Sequence, residues 1–235
     1  MKILIIDTET TGTNQTDSVC EIAATLYQVG ESERTTGAIA SISTLMPVVY
    51  NDAESINGIC SELTLSSTKI LEESIILLRE MASIANYCVA FNAEFDAPLV
   101  NQIIGQQRWI CAMRDMDWGY PNLNAYGAFK LIDLALWLGI GVSTVHRAGD
   151  DVRLLVECLN RRRSGLPKML EMAIARSQSP IIELKALVNY DNRELAKQAG
   201  FSWDGSRKSW IKKIKECDVE TFTADLEFKY EFQNN

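Results

Sequence analysis

Two acidic residues follow the first apolar run of the chain at a spacing that suits metal chemistry. Asp7 and Glu9 come directly after residues 3–6 and enclose Thr8. Residues i and i+2 of a β-strand point the same way, so both carboxylates project from one face at the strand end. Such a pair is costly beside buried residues unless a cation neutralises it, and its oxygens suit Mg²⁺ or Mn²⁺. Alone, this pattern fits a metal site and a solvated strand end about equally.

A second acid follows another predicted strand. Asp96 ends the segment Asn-Ala-Glu-Phe-Asp, which begins at Asn92 after an apolar run over residues 87–91. Asn92 suits the turn off the strand, and Phe95 can pack beneath while Asp96 faces the site. Acids near helix N-termini usually just favour the helix dipole, so this segment alone is a weak signal.

The third segment, His-Arg-Ala-Gly-Asp-Asp over residues 146–151, holds the single histidine of the chain. A lone histidine is more often structural than catalytic. Five positions separate His146 from Asp151, and this spacing does not align two side chains on one helix. We therefore expect His146 on a loop and Asp151 in the first turn of the helix that comes next, with Asp150 as the capping or solvated acid.

The three segments together are far more specific than any one of them. Asp-x-Glu-Thr-Thr-Gly, Asn-Ala-x-Phe-Asp and His-x-Ala-x-x-Asp occur in this order. The pattern resembles the DnaQ-like 3′–5′ exonucleases of the DEDDh subgroup, which has four acids and a histidine and includes polymerase proofreading subunits, oligoribonuclease, ribonuclease T and exonuclease X. The resemblance spans about Lys2 to Leu159. Many relatives have a histidine in place of Phe91 and in place of Asn57, but neither departure displaces a catalytic carboxylate.

This resemblance implies a ribonuclease-H-like fold and a two-metal mechanism with Mg²⁺ or Mn²⁺. Asp7, Glu9 and Asp151 would hold the ion that binds the attacking water. Asp7 would bridge to a second ion at the leaving 3′ oxygen, and Asp96 would act there mainly through water. His146 would take the proton of the water near neutral pH. The residues expected to contact substrate are Thr8, Thr10, Thr11, Asn92 and Phe95.

The rest of the pattern predicts the elements that position these segments. Strand-like runs cover 2–6, 19–26, 38–45, 87–91 and 109–113, and helical periodicity covers 68–85, 94–104, 125–138 and 150–162. Strands first, then strand–helix alternation, indicate an α/β fold with a mixed five-stranded sheet flanked by helices. We predict an exonuclease domain over 1–175, a linker over 176–182 and a small α+β module over 183–235. The alternation of apolar residues over 222–232 predicts a terminal strand in that module.

Composition supports a globular protein with an unusual distribution of charge. The 235 residues are 47% hydrophobic and carry a formal net charge of −8. Residues 185–215 nevertheless contain eight Lys or Arg against three Asp or Glu. The pattern is therefore an acidic body with a basic segment, and bound cations would reverse the local sign at a scissile phosphate in the acidic part.

Cysteine usage and the first residues bear on the compartment. The six cysteines lie far apart with no Cys-x-x-Cys spacing, which favours reduced core residues over zinc or disulfides. The apolar opening ends at Asp7 with no cleavage site after it. We interpret it as the buried first strand of an uncleaved cytoplasmic protein without a membrane partner.

The basic segment is interleaved with Tyr190, Phe201, Trp203 and Trp210. Cations for phosphates and aromatics for base stacking are typical of proteins that bind single strands. The same residues also fit a small core covered by solvating lysines. Both interpretations stay open at this point.

The expected substrate is the 3′ end of a single-stranded nucleic acid, DNA first because of the appended module and RNA second. A non-catalytic nucleic-acid-binding protein is the alternative from another class, against which stands the presence of all four acids and the histidine. No Gly-x-x-x-x-Gly-Lys-Ser/Thr loop is present, which argues against a P-loop kinase. A polymerase partner and a second copy of the chain both stay open.

Overall fold

The computed structural model describes residues 1–12, 17–66, 68–121, 129–143 and 146–233. They form two compact units. The larger unit comprises Met1–Tyr120 and Lys130–Ala173, and the smaller one comprises Pro121–Phe129 and Ile174–Asn235. In the described part of the chain, no helix combines the length and the apolar character that a membrane crossing requires.

A five-stranded mixed sheet forms the centre of the larger unit. Its strands are β1 (Lys2–Thr10), β2 (Val19–Gln28), β3 (Gly37–Leu45), β4 (Tyr87–Ala90) and β5 (Trp109–Cys111). The strand order is β3-β2-β1-β4-β5, with β1, β2 and β3 antiparallel and β1, β4 and β5 parallel. β1 is therefore the central strand, hydrogen-bonded on both edges.

Helices accompany this sheet along the chain. They are α1 (Glu54–Asn57), α2 (Ser61–Thr64), α3 (Thr68–Ile84), α4 (Ala93–Ile104), α5 (Leu131–Trp137), α6 (Ala148–Arg161) and α7 (Leu166–Ser177). Ile3, Leu4, Ile5 and Ile6 are all fully buried, so both faces of β1 are covered. This matches the continuous apolar run in the sequence, since a strand buried on both faces does not alternate.

Two helices, α6 and α4, pack close to the acidic end of β1. α6 packs on β1 and β2, and it buries an apolar stripe that includes Val152, Leu155 and Leu159. The approach is close, since a Cβ added to Gly149 would lie 3.2 Å from the Ser43 hydroxyl oxygen of β3. α4 starts just beyond β4 and packs against β1, β4 and β5. Both helices therefore present their first turns near the end of β1.

The predicted fold class is confirmed, because the larger unit has a mixed five-stranded sheet flanked by helices. The predicted helix over 125–138 is shorter among the described residues, where α5 covers Leu131–Trp137. The part of that prediction over 125–128 lies outside the described residues.

The smaller unit contains a four-stranded sheet of its own. Its elements are β6 (Ile181–Leu187), α8 (Arg193–Gln198), β7 (Ser202–Asp204), β8 (Ser209–Lys215), α9 (Val219–Thr223) and β9 (Lys229–Gln233). The strand order is β7-β8-β6-β9, and β6 is antiparallel to β8 and to β9. Because β7 is also antiparallel to β8, α8 connects the parallel strands β6 and β7 across β8.

Two sequence predictions fail in this region. The linker predicted over 176–182 is shorter, because α7 continues to Ser177 and β6 starts at Ile181. The strand predicted over 222–232 is also wrong in extent, since α9 ends at Thr223 and only Lys229–Gln233 is a strand. Phe222 and Phe228 both pack against the fully buried Phe201 from helix and loop, which supplies apolar residues without strand geometry.

Candidate active site

The end of β1 brings two predicted acids to the first turn of α6. Asp7 and Glu9 share one side of the strand, and Asp151 is the fourth residue of the helix. One carboxylate oxygen from each of these three residues lies within 4.8 Å of the other two. Residues far apart in the sequence therefore form one cluster of acidic oxygens.

Asp96, the fourth predicted acid, is not part of that three-residue group. It lies in the first turn of α4 and is only 4% exposed. Its Oδ1 accepts hydrogen bonds from the Thr8 hydroxyl at 2.7 Å and from the Thr8 backbone N–H at 3.1 Å. The charge of Asp96 raises the pKa of Asp7 more than any other neighbouring charge, so the two carboxylates interact directly. Thr8 thus ties α4 to the strand that carries Asp7 and Glu9.

His146 lies in the loop before α6, at the position that its spacing from Asp151 predicted. Its side chain is exposed, and its backbone N–H donates to Asp151 Oδ2 at 3.2 Å. The backbone adopts φ 61°, in the left-handed region that costs a non-glycine residue roughly 1–2 kcal/mol. Residues held in such conformations concentrate at functional sites.

An ion pair that the sequence analysis missed joins the buried Glu21 of β2 to the partly exposed Arg147. Glu21 is 3% exposed, and its carboxylate accepts hydrogen bonds from Arg147 Nε at 2.9 Å and Arg147 Nη2 at 3.0 Å. The same carboxylate accepts the backbone N–H of Ala148 at 3.0 Å, which is the first residue of α6. Glu21 therefore supplies the hydrogen-bond acceptor at the start of this helix, a role that the sequence analysis expected of Asp150.

A signal for this pair was present in the sequence. Glu21 is a lone acid inside the apolar run over 19–26, and such a residue needs a partner when it is buried. The register of β1 and β2 places Glu21 directly opposite Glu9. Two acids in that position are unfavourable unless a cation lies nearby, and Arg147 supplies one.

The residues predicted to contact substrate differ in accessibility. Thr8, Thr10 and Thr11 are buried, and Thr10 Oγ1 donates to the carbonyl oxygen of Gly12. Asn92 is exposed at the start of α4, where its carbonyl oxygen accepts the N–H of the half-buried Phe95 at 2.9 Å.

Asn57, one of the two positions that depart from the exonuclease pattern, touches the same segment. It is 3% exposed, and its side-chain amide donates to the carbonyl oxygen of Thr10 at 3.2 Å. This bond ties the end of α1 to the last residue of β1, one position beyond Glu9. Asn57 thus has a clear structural role where many relatives have histidine.

Comparison with known proteins finds similarity in sequence and in fold. The chain is 26% identical over 192 residues to the DNA polymerase III subunit epsilon of Treponema pallidum (strain Nichols), and the match covers 75% of this chain and 83% of that protein. The fold is similar to exonuclease I from Methylocaldum szegediense, with a TM-score of 0.59 and 14% identity over 96% of this chain and 68% of that one. The larger unit is therefore similar to DnaQ-like exonucleases, and we refer to it as the exonuclease domain.

A second solved structure, E. coli exonuclease I in complex with a dA16 oligonucleotide, gives the same TM-score of 0.59 at 12% identity. The match covers 97% of this chain and 68% of that one, and both likenesses confirm the expected ribonuclease-H-like fold. Residues 182–231 match a separate family, DUF8626, whose description is a domain of unknown function. The exonuclease domain is therefore followed by a module with a family of its own.

The acids of the exonuclease domain have raised pKa values. Burial is the largest cause for Asp7, Glu9, Asp96 and Asp151, and the charges of neighbouring acids contribute to each. The pKa of Glu9 rises to about 7, and that of Asp96 rises to about 7 although Thr8 donates two hydrogen bonds to it. His146 lowers the pKa of Asp151, but not enough to offset burial.

These pKa values describe a cluster that is short of positive charge. Arg147 lowers the pKa of Glu9, but its guanidinium is bound to Glu21. Carboxylates packed this closely gain most from a divalent cation, and hard oxygen ligands suit Mg²⁺ and Mn²⁺. The residues present therefore fit a divalent metal centre.

Proposed function

We propose that this protein is a metal-dependent 3′–5′ exonuclease of the DEDDh subgroup, acting on the 3′ end of single-stranded DNA. The observation that carries the proposal is the group of three carboxylate oxygens, from Asp7, Glu9 and Asp151, within 4.8 Å of one another. Their raised pKa values indicate that the ionised cluster needs a counter-charge. The similarity of the larger unit to DnaQ-like exonucleases supports the reaction class.

Asp7, Glu9 and Asp151 would hold two divalent cations, with Asp96 contributing mainly through water. When bound, such a pair activates the attacking water and stabilises the leaving 3′ oxygen of an in-line displacement. Thr8 fixes the orientation of Asp96 by donating both its hydroxyl and its N–H to one oxygen. The other carboxylates are held by β1 and by the first turn of α6.

His146 serves as the general base. Its loop is anchored by the hydrogen bond from its own N–H to Asp151, and its imidazole is exposed to incoming water and substrate. A neutral imidazole can accept a proton from an attacking water. Glu21 holds Arg147, the next residue of the same loop, which limits how far His146 can move.

DNA is the proposed substrate sugar. The relative from Treponema pallidum is named as a subunit of a DNA polymerase, and one structural neighbour was solved with a dA16 oligonucleotide. RNA would differ at the 2′-hydroxyl, which a protein reads through contacts beside the sugar. A cleavage assay must therefore include both kinds of strand.

The test is cleavage of 5′-labelled single-stranded DNA and of the matching RNA with Mn²⁺ or Mg²⁺. We expect a ladder that shortens from the 3′ end, faster on DNA and absent with chelator. Asp7→Asn keeps the shape of the side chain and removes its charge, so it should abolish the ladder while circular dichroism shows an unchanged fold. Labelling the opposite end distinguishes 3′–5′ from 5′–3′ hydrolysis.

Each outcome decides between the proposals. Faster cleavage of RNA would make the protein an exoribonuclease with the same site. Binding without cleavage of either strand would leave a non-catalytic nucleic-acid-binding protein. Cleavage that persists in Asp7→Asn would move the reaction away from the acid cluster altogether.

A further inference from the structure

The four aromatic residues of the basic segment separate into two groups. Phe201 is fully buried, and Trp210 is half-buried against the same core cluster. Tyr190 is 77% exposed and Trp203 is 53% exposed. The core therefore accounts for the first pair and leaves the second pair at the surface.

The two exposed rings belong to the same end of the four-stranded sheet. β6 ends at Leu187, three positions before Tyr190, and β7 ends at Asp204, one position after Trp203. Because β6 and β7 are parallel, their C-terminal ends lie on the same side of the sheet. Tyr190 and Trp203 thus flank the start of the intervening strand, β8.

Both rings are held in place by the protein itself. The Arg193 guanidinium lies 3.9 Å from the centroid of the Tyr190 ring, and Arg193 Nη1 donates to the Tyr190 carbonyl oxygen at 2.9 Å. Trp203 contacts Trp210 with ring centroids 5.7 Å apart. A ring that is already ordered loses little side-chain entropy when another planar group stacks on it.

The charges at this end are mixed. Lys208, in the turn between β7 and β8, and Lys229, at the start of β9, are exposed cations. Arg207 is bound to Asp204 and Glu183, so it contributes less positive charge to the surface than the two lysines do. Asp191 lies beside Tyr190 and opposes an anion there. Stacking, rather than phosphate contact, is therefore the main interaction that this surface offers.

We propose that Tyr190 and Trp203 form a second, non-catalytic site that stacks the bases of single-stranded DNA. Ordered aromatic rings backed by a guanidinium, with lysines beside them, suit nucleobases with phosphates attached. The site rests on the proposed function for its ligand class, because the exonuclease domain needs a single strand. It would bind nucleotides beyond those that occupy the acid cluster.

The experiment measures binding and cleavage separately in the full chain. Binding of a fluorescein-labelled oligothymidylate is followed by anisotropy in the Asp7→Asn background, so that the strand stays intact. Tyr190→Ala and Trp203→Ala should each weaken binding roughly fivefold or more, the range seen when one stacking residue is removed. Tyr190→Phe and Trp203→Phe retain a ring and should bind within about twofold of the parent.

Phe232→Ala provides the matched control. Phe232 is an exposed aromatic residue of 57% exposure on β9, at the opposite edge of the same sheet from β7. Its removal should leave the affinity unchanged. Melting temperatures of all variants identify any that have lost the fold.

Cleavage of a labelled dinucleotide by the same substitutions in the active enzyme completes the test. We expect it to stay unchanged, because neither substituted ring belongs to the acid cluster that cleaves this substrate. Unchanged affinity for the oligothymidylate in both alanine variants would overturn the second site, whatever the cleavage assay gives. Ring-dependent affinity without cleavage by the active enzyme would retain the second site and overturn the proposed exonuclease.

Discussion

The carboxylates of the two units lie in opposite environments. In the exonuclease domain, Asp7, Glu9 and Asp151 face one another, and their pKa values are raised. In the smaller unit, Glu183 and Asp204 share the guanidinium of Arg207. Hydrogen bonds from Ser206 and from Arg207 hold the pKa of Asp204 below its ordinary value. One region brings acids together without enough positive charge, and the other provides these two acids with a cation.

The presence or absence of a cationic partner distinguishes structural from functional acids. Removal of a buried carboxylate from its arginine partner destabilises the fold, because it leaves an unpaired charge behind. A group of carboxylates without such a partner destabilises the fold unless something binds to it. Substitutions that change one of the two groups at a time test whether the two groups of acids differ in this way.

The largest expected effect is on catalysis by Asp151→Asn. The substitution keeps the side-chain shape but removes a charge from the cluster, and we expect a loss of roughly 10³-fold in kcat/KM, about 4 kcal/mol. The metal-free variant should also melt at a higher temperature than the wild type, because repulsion in the cluster is relieved. Gel assays and scanning calorimetry measure the two effects. A variant that is less active and also less stable would make Asp151 a structural residue.

Glu21→Gln should give the next largest effect. Glutamine retains the size of Glu21 but loses the charge that binds Arg147 and one of the two oxygens that accept hydrogen bonds. Partners that orient metal ligands typically contribute 10–100-fold, so we expect activity to fall by roughly that factor.

The control for Glu21→Gln is Ser43→Ala. This substitution removes the hydrogen bond of 3.1 Å that the Ser43 hydroxyl donates to the Glu21 carboxylate. We expect Ser43→Ala to retain most of the activity, since both Arg147 contacts remain. A change in kcat with little change in KM would distinguish loss of positioning from loss of substrate binding. Equal activity of Glu21→Gln and wild type would show that Arg147 needs no partner.

The metal-free protein should become less stable as the pH rises from about 4 to about 7. The pKa values of Glu9 and Asp96 rise to about 7, so the folded protein binds more protons than the unfolded chain in this window. Protonation therefore stabilises the fold at the acidic end, and that stabilisation is lost as the pH passes the folded pKa.

Solvent screens the half-buried Glu9, so the buried Asp96 should contribute most of this effect. Urea unfolding at several pH values in the presence of chelator measures it. Saturating Mn²⁺ should flatten the dependence, since the cations replace the protons. A metal-free protein whose stability rises over this window would contradict the raised pKa values.

Glu183→Gln should have the smallest effect on activity. It should lower the stability of the protein, whereas Asp151→Asn should raise that of the metal-free protein. Glu183 is 6% exposed, and its loss removes the partner of Arg207. We expect a lower melting temperature with unchanged cleavage of a dinucleotide. If cleavage fell as far as it does in Asp151→Asn, the contrast between the two groups of acids would be lost.

Local patterns in the sequence were enough to predict the strands of the sheet in the exonuclease domain. The run over residues 2–6 predicted a buried first strand, and β1 is the central strand with both faces covered. The i and i+2 spacing of Asp7 and Glu9 placed them on one side of it. Elements of this kind are visible because periodicity and burial act along one segment of chain.

Contacts between distant segments could not be predicted from the sequence in the same way. The pairing of Glu21 with Arg147 joins residues 126 positions apart and depends on the register of β1 and β2. No pattern along the chain specifies that register. The alternation over 222–232 misled for a related reason: Phe222 and Phe228 fill the core around Phe201 from a helix and a loop.

The hydrogen bonds between Thr8 and Asp96 have a consequence for the order of folding. They span 88 positions and join β1 to α4, which directly follows β4, the parallel neighbour of β1. Loop closure of this length comes late compared with the adjacent pairing of β1 and β2. The repelling acids would then meet only after most of the sheet exists. Metal ions should consequently slow unfolding and leave the refolding rate nearly unchanged, which stopped-flow measurements in urea with and without Mn²⁺ can decide.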